Sequence, residues 1–285
     1  MELVKYETLI SSIDLGSFTK ASELLGYTPS GISHMMNHLE DELGFPLLLR
    51  SKTGVVPTRE CERLLPTLRE IVRQNKQLNQ LTSEICGLTT GTLTLATYSS
   101  MANHLLPNII KRFRKDYPGI HIQLIEGVWE EVNQLLCRHQ ADLGFFSLQK
   151  PMNHTFIPLV QDEMLAVVPG NHKLSSRSYV TLAELEKEPF IMPALGCDND
   201  VMELIRKTGF HPNVTFTTQE NYSAMSMIEC GLGISIMNEM ITLHRTSDVK
   251  KLPLKPRQFI SLGIAIPDKK SMSPAANKFL EYALL

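Results

Sequence analysis

A chain of 285 residues is long enough for about two domains. It is 43% hydrophobic and 20% charged with a net charge of −2, so it holds the apolar material for real cores and lacks the overall basic character of a general polyanion binder. Its first residues, "MELVKYE", are charged where an apolar leader would run, no apolar run reaches the roughly 18 residues of a membrane span, and the five scattered cysteines form no C-x-x-C pair. The expectation is a cytoplasmic protein with free thiols, no membrane partner, and neither a disulfide framework nor a zinc site.

Leu3, Tyr6, Leu9, Ile10 and Ile13 recur at helical spacing and predict a helix over residues 2–13. Ser17 caps a second helix carrying Phe18, Ala21, Leu24 and Leu25, and Gly26 ends it. Only Tyr27 separates that end from Thr28, the N-cap of a third helix with Pro29 at its first position. Ile32, Met35, Met36, Leu39 and Leu43 form its apolar stripe, and Ser30, Ser33, His34, Asn37 and His38 lie opposite. Two helices joined by so short a turn cross steeply, and Ala21 is small enough to let them approach. That is the helix-turn-helix geometry, which sets the start of the second helix in the DNA major groove. The next stretch, "LLLRSKTGVVPTRE", predicts a β-hairpin turning at Thr53-Gly54. It carries Arg50, Lys52 and Arg59, a local positive footprint in a segment otherwise rich in acid.

Residues 59–85 read as one helix with Pro66 inside it. Leu64, Leu68, Ile71, Asn75, Leu78, Thr82 and Ile85 alternate at spacings of four and three, the a/d seam of a coiled coil, which asks for a partner helix. "CGLTTGT", residues 86–92, is a small-residue hinge. Beyond it come a strand over 92–98, a helix opened by Ser99-Ser100 and running through Leu105, Leu106, Ile109, Ile110 and Phe113, the strand "IHIQLIE", a helix over 130–139 and the strand "ADLGFFS". This is a βαβαβ unit with parallel strands. "EMLAVVPGNHKL" begins a second set. In it Thr181 and Glu184 form a capping box, and "PFIMP", "NVTFTT", "ISIMN" and "SLGIAIP" read as strands. Helices are expected over 198–208, over 221–230 and after Ser273-Pro274. The expected fold class is therefore α/β with an N-terminal winged helix-turn-helix, a long linker helix, and two α/β Rossmann-like subdomains forming a periplasmic-binding-protein-like clamp. The expected domains are 1–58, 59–91 and 92–285, the last divided into subdomain I (92–162 plus 268–285) and subdomain II (163–267).

The stretch "GSFTKASELLGYTPSGISHMMNHLEDELGFPLLLRSKTGVVPT" resembles the winged helix-turn-helix of the LysR-type transcriptional regulators, through Gly16, Ser17, Phe18, Ala21, Leu25, Ser33, Leu39, Glu40, Leu43, Gly44, Leu47, Arg50 and Thr58. The likeness continues through "LLPNIIKRFRKDYPGIHIQLIEG", "DLGF", "VVPGNHKL", "GLGI" and "SPAANKFLEYAL". Thr28-Pro29-Ser30 stands where Ser-Gln-Pro is common in the family, and His34 where arginine or lysine is frequent. The resemblance implies a bacterial regulator that binds double-stranded promoter DNA, assembles as a homodimer or homotetramer, and contacts RNA polymerase. It makes Thr28, Pro29, Ser30, Ser33 and His34 candidate contacts to bases or backbone, and Asn37, Arg50, Lys52 and Thr58 candidate phosphate contacts. In the C-terminal clamp it places Ser99, Ser100, Met101, Trp129, Phe146, Cys197, Tyr222 and Met225 near a small-molecule effector. Ser99 and Ser100 with helix N–H groups can hold a carboxylate or other anion. Trp129, with Met101 and Met225, points to an apolar or aromatic ligand body, and no lysine or arginine is seen to enter the cleft, which disfavours strongly charged effectors.

An enzyme has little support. The chain holds no G-x-S-x-G, H-E-x-x-H or P-loop, Gly231-Leu232-Gly233 lacks the third glycine of a dinucleotide fingerprint, and its histidines show no metal spacing. No catalytic residue, metal or cofactor is expected. The competing readings are a cytosolic small-ligand-binding protein and an effector-independent regulator of the same fold.

Overall fold

The computed structural model describes residues 2–51, 54–85, 90–193, 199–243, 248–267 and 272–285, which belong to two compact units, Met1–Cys86 and Gly87–Leu285. In the first unit, α1 (Leu3–Asp14), α2 (Phe18–Leu25) and α3 (Pro29–Leu43) are followed by the hairpin β1 (Leu48–Ser51) and β2 (Gly54–Pro57), then by α4 (Arg59–Ile85). The local signals act as expected. Ser17 caps α2 by accepting the Lys20 N–H, and Thr28 caps α3 by accepting the Gly31 N–H at 3.1 Å. Gly26 closes α2 with φ +73°, a left-handed conformation that glycine takes at low cost. At Gly54 a side chain is excluded by space as well as by φ, because a Cβ would lie 2.5 Å from the Gly16 carbonyl oxygen. That carbonyl accepts the Val55 N–H at 2.9 Å and ties the wing to the turn between α1 and α2. Leu9, Ala21, Ile32, Met36, Leu39 and Leu47 are fully buried at the centre.

The seam on α4 is shared between two environments. Leu68 of the seam is buried in the unit's own core beside Val72, and Leu64 packs against it, so this part of the stripe does not wait for a partner. Arg69 forks onto both carboxylate oxygens of Asp14, at 3.1 and 2.5 Å, and clamps α4 to α1. Ile71, Leu78 and Ile85, seven residues apart, are 41%, 60% and 85% exposed. The hinge expected at 86–92 lies largely outside the described residues.

The second unit begins with β3 (Gly91–Thr97), α5 (Ser99–His104), α6 (Leu106–Asp116), β4 (Ile120–Glu126), α7 (Trp129–Cys137) and β5 (Leu143–Ser147). β3 is parallel to both β4 and β5. The single helix expected after Ser99 is two, with Tyr98 rather than a serine at the N-cap of α5. The break falls at Leu105 because Pro107 has no N–H for the Asn103 carbonyl. Then follow β6 (Thr155–Pro169), α8 (Leu182–Leu185), β7 (Pro189–Met192), α9 (Asn199–Thr208), β8 (Asn213–Thr217), α10 (Asn221–Glu229), β9 (Ser235–Asn238), β10 (Val249–Ile266) and α11 (Pro274–Ala283).

The main sheet has the order β4-β3-β5-β10-β6-β9, and β7 pairs in parallel with β8 in a smaller one. β6 and β10 are long antiparallel strands that run through both halves of the unit. Residues 155–162 and 249–260 were not foreseen as strand. Leu262, Ile264 and Ile266 at the end of β10 pack with Leu93, Phe113, Phe145 and Phe279 in the first core. That segment therefore sits with the first half, although the expected boundary assigned it to the second. Met164, Phe190, Phe210, Ile236 and Leu252 build the second core.

Candidate functional site

On the first unit, Thr28, Pro29, Ser30, His34 and Asn37 are exposed along the start and one side of α3. Ser33 is half-buried and accepts from Arg50 Nη1 at 3.3 Å. Arg50 Nη2 donates to Glu40 Oε2 at 2.9 Å, and the guanidinium lies over the Phe18 ring at 5.4 Å. The wing arginine is thus held against α3 while remaining partly open to solvent. Glu40 Oε1 also accepts the N–H groups of Leu47 and Leu48 at 2.7 and 2.9 Å, so one carboxylate fixes the entry to the wing. Thr58 departs from its expected role as a phosphate contact. Its hydroxyl donates to the Pro46 carbonyl at 2.9 Å and accepts the Cys61 N–H at 3.1 Å. With 6% exposure, Thr58 is the cap of α4 and a strap on the wing. Lys52 lies outside the described residues.

In the second unit, a cleft of about 360 Å³ opens where strands end and helices begin. Tyr98, Ser99 and Ser100 enter it from the end of β3, Glu126, Gly127 and Val128 from the end of β4, and Trp129 and Glu131 from the first turn of α7. Across from them stand Asp200 of α9, Gln219, Glu220 and Asn221 at the start of α10, Asn238 at the end of β9 and Ile241 just beyond it. A hydrogen-bond chain joins the two sides. Ser147 Oγ donates to Asp200 Oδ1 at 2.5 Å, and Gln149 Nε2 donates to the same oxygen at 2.8 Å. Since the single hydroxyl proton of Ser147 is committed there, the 3.0 Å contact between Tyr98 OH and Ser147 Oγ has the tyrosine as donor. Asn103 Nδ2 donates to Tyr222 OH at 2.9 Å in a second cross-link. Asp162, on β6, accepts Asn238 Nδ2 at 2.5 Å and the Met240 N–H, which sets the amide of Asn238 at the cleft. Burial raises the Asp162 carboxyl above the ordinary range even so.

Of the expected effector contacts, the cleft brings together Ser99, Ser100 and Trp129. Met101, Phe146 and Met225 are fully buried in the cores behind the wall. Phe146 supports Trp129 edge-on at a centroid distance of 6.2 Å. Tyr222 is not on the lining, although it follows the lining residue Asn221 and accepts from Asn103, and Cys197 lies outside the described residues. Glu126, Glu131, Asp200 and Glu220 were not foreseen. The available signal was position, since Glu126 directly ends a parallel strand and Glu220 precedes a helix. The expectation of an anion subsite at Ser99 and Ser100 therefore meets four carboxylates, and no lysine, arginine or histidine, in the described lining. Among the described cysteines, Cys61 is buried, its thiol pushed up to about 11 chiefly by that burial, and Cys137 and Cys230 are exposed.

The family model described as "LysR substrate binding domain" matches residues 87–284, and that described as "Bacterial regulatory helix-turn-helix protein, lysR family" matches residues 3–62. The chain is 29% identical over 286 aligned residues to an uncharacterized HTH-type transcriptional regulator of Bacillus subtilis, YvbU, covering 99% of this chain and 98% of the relative. Its fold is similar to full-length CbnR crystallised with its target DNA, at a TM-score of 0.66 and 17% identity over 99% of both chains. It is also similar to the effector binding domain of QuiR in complex with shikimate, at a TM-score of 0.63 and 22% identity over 68% of this chain and 96% of that one.

Proposed function

From the premise that the chain belongs to the LysR family of DNA-binding transcriptional regulators, with a helix-turn-helix and an effector-binding domain, we propose how its own residues carry out that role. The start of α3 enters the major groove of promoter DNA. Ser30, Ser33 and His34 approach base edges, and Thr28 and Pro29 approach the backbone at the helix N-terminus. Asn37, Arg50 and Lys52 contact phosphates. The observation that carries this reading is the exposed polar face of α3, capped by Thr28 and flanked by an arginine held in place by Glu40.

The exposed half of the α4 seam, Ile71, Leu78 and Ile85, pairs with the same helix of a second copy, giving a homodimer or a dimer of dimers. A small effector binds the cleft of the second unit and favours one arrangement of the oligomer over another, which alters DNA bending and contact with RNA polymerase in the cytoplasm. Such coupling works only through differential affinity for the two arrangements. The open cleft favours an effector-responsive regulator over an effector-independent one.

The test is a mobility shift of the purified protein on DNA immediately upstream of its own and neighbouring genes at several salt concentrations. The expected result is a competitor-resistant shift that Arg50→Ala weakens at every sequence, while Ser33 and His34 variants change sequence preference. Equal affinity of the Arg50→Ala variant and the parent sinks the phosphate assignment. Absence of specific binding at any salt sinks the promoter reading.

A further inference from the structure

We propose that the effector of this cleft is an organic cation, an amine or guanidinium on an apolar body. The inference rests on the reading of the cleft as the effector site and assigns its chemistry. Glu126, Glu131, Asp200 and Glu220 line the cleft, and the described lining offers no basic side chain against them. Asp200 already takes donors from Ser147 and Gln149, and one oxygen of Glu131 takes the Val128 N–H at 3.0 Å. Glu126 and Glu220, both on the lining, are exposed and form no ion pair among the described residues, so no described salt bridge offsets their charge. A concave site lined by one sign of charge concentrates the opposite ion and repels its own. A carboxylate effector would add to this repulsion.

Two further observations give the ligand its shape. Trp129, the sole tryptophan, is part of the lining, and an indole face is the best aromatic partner for a cation. Asn221 Oδ1, also on the lining, is shut from solvent with no hydrogen-bond partner among the described residues. An unfilled buried acceptor is costly, and an ammonium or guanidinium supplies donors only. Trp129 Nε1 is likewise buried without a partner among the described residues, and it calls for a neutral acceptor, a hydroxyl or carbonyl, elsewhere on the ligand. Both atoms are closed off here, so a ligand reaches them only where their side chains turn toward the cleft. A volume of about 360 Å³ admits a molecule the size of an aryl amine or a small diamine.

The experiment titrates the full-length protein with phenethylamine, agmatine, phenylethanol and phenylacetate, following Trp129 fluorescence and the thermal midpoint. The three phenyl compounds share one body and differ in charge. At low salt the cations are expected to bind at least about tenfold more tightly than phenylacetate, with the preference shrinking as salt is added. The Glu126→Gln/Glu220→Gln double variant, altered only at exposed positions, is expected to lose that preference while keeping its fold by circular dichroism. Three outcomes overturn the proposal: phenylacetate binding as tightly as the amines, no response to either cation, or an undiminished preference in the double variant. A mobility shift on the same preparations separates the layers. Specific DNA binding with no cation preference removes this inference and leaves the regulator standing, and cation preference without DNA binding does the reverse.

Discussion

Glu40 offers the sharpest test of how the DNA-binding unit is held together. Its Oε1 accepts two backbone N–H groups, Leu47 at 2.7 Å and Leu48 at 2.9 Å, in residues whose side chains are buried in the core. Its Oε2 accepts Arg50 Nη2. Replacing Glu40 by alanine leaves both amides without their acceptor at the point where the chain turns from α3 into the wing. A hydrogen bond to a charged acceptor contributes about 1.5–3 kcal/mol, and these are only partly buried, so two at the lower end give about 3 kcal/mol. The Arg50 pair is more open to solvent and adds at most about 0.5 kcal/mol. With a urea dependence of about 1–3 kcal/mol per molar, the unfolding midpoint of the helical N-terminal unit should fall by about 1 M or more in Glu40→Ala. Glu40→Gln keeps one acceptor oxygen and should lose only about 1 kcal/mol. The assay is urea unfolding of the full chain by far-ultraviolet circular dichroism, with hydrogen exchange at Leu47 and Leu48 as the local readout. An unchanged midpoint in Glu40→Ala, or equal losses in the alanine and glutamine variants, would refute the reasoning.

Leu78→Glu places a charge on the exposed part of the α4 seam, and sedimentation should then show a smaller assembly with an unchanged monomer fold; an unaltered mass means the seam is not an interface. In native protein, Cys137 and Cys230 should react with a maleimide near pH 8 while Cys61 stays protected, because burial pushes its thiol to about 11; labelling of Cys61 at the same rate contradicts that burial. His154 sits against Cys137 at 3.5 Å, and burial lowers its imidazole below the usual value. The unfolded chain therefore takes up the proton first, so the contribution of His154 is present above about pH 6.5 and is lost as pH falls through the lower folded value. His154→Gln should flatten the drop in Tm between about pH 7 and pH 5 relative to the parent, and parallel drops would exclude the assignment.

The N-terminal half was legible because its determinants are local. Ser17, Gly26, Thr28 and Pro29 each act within one turn of their own position, and the helices begin and end where those residues direct. α4 ran from Arg59 to Ile85 as its periodicity required, but periodicity did not reveal that Leu68 and Val72 face their own core. Only the placement of α1 beneath them decides that. In the second unit the full length of the crossing strands was hidden, residues 155–162 and 249–260 above all, because their alternation is broken by Asp162-Glu163 in β6 and by Pro253 and Pro256 in β10. The apolar residues expected near the cleft, Met101, Phe146 and Met225, lie in the cores behind it, since sequence cannot say which side of a wall a side chain faces. The carboxylates became visible as a group only when the end of β4 and the starts of α7, α9 and α10 were brought to one edge.

That edge also has energetics of the size regulation needs. Allosteric coupling typically amounts to about 1–3 kcal/mol. The solvent-exposed Asn103–Tyr222 bond contributes about 0.5–1.5 kcal/mol at most. The largely buried Tyr98–Ser147–Gln149–Asp200 chain is worth more, because breaking it takes two donors away from a buried carboxylate. Together these links hold the two sides of the cleft with a free energy that one well-placed ligand can match. A ligand that bridges Glu126 and Glu220 acts from opposite sides of the same gap. It therefore biases the separation that those links set, with no need to deform either core. A ligand bound to one side alone would stabilise both separations equally and carry no signal, however tightly it bound.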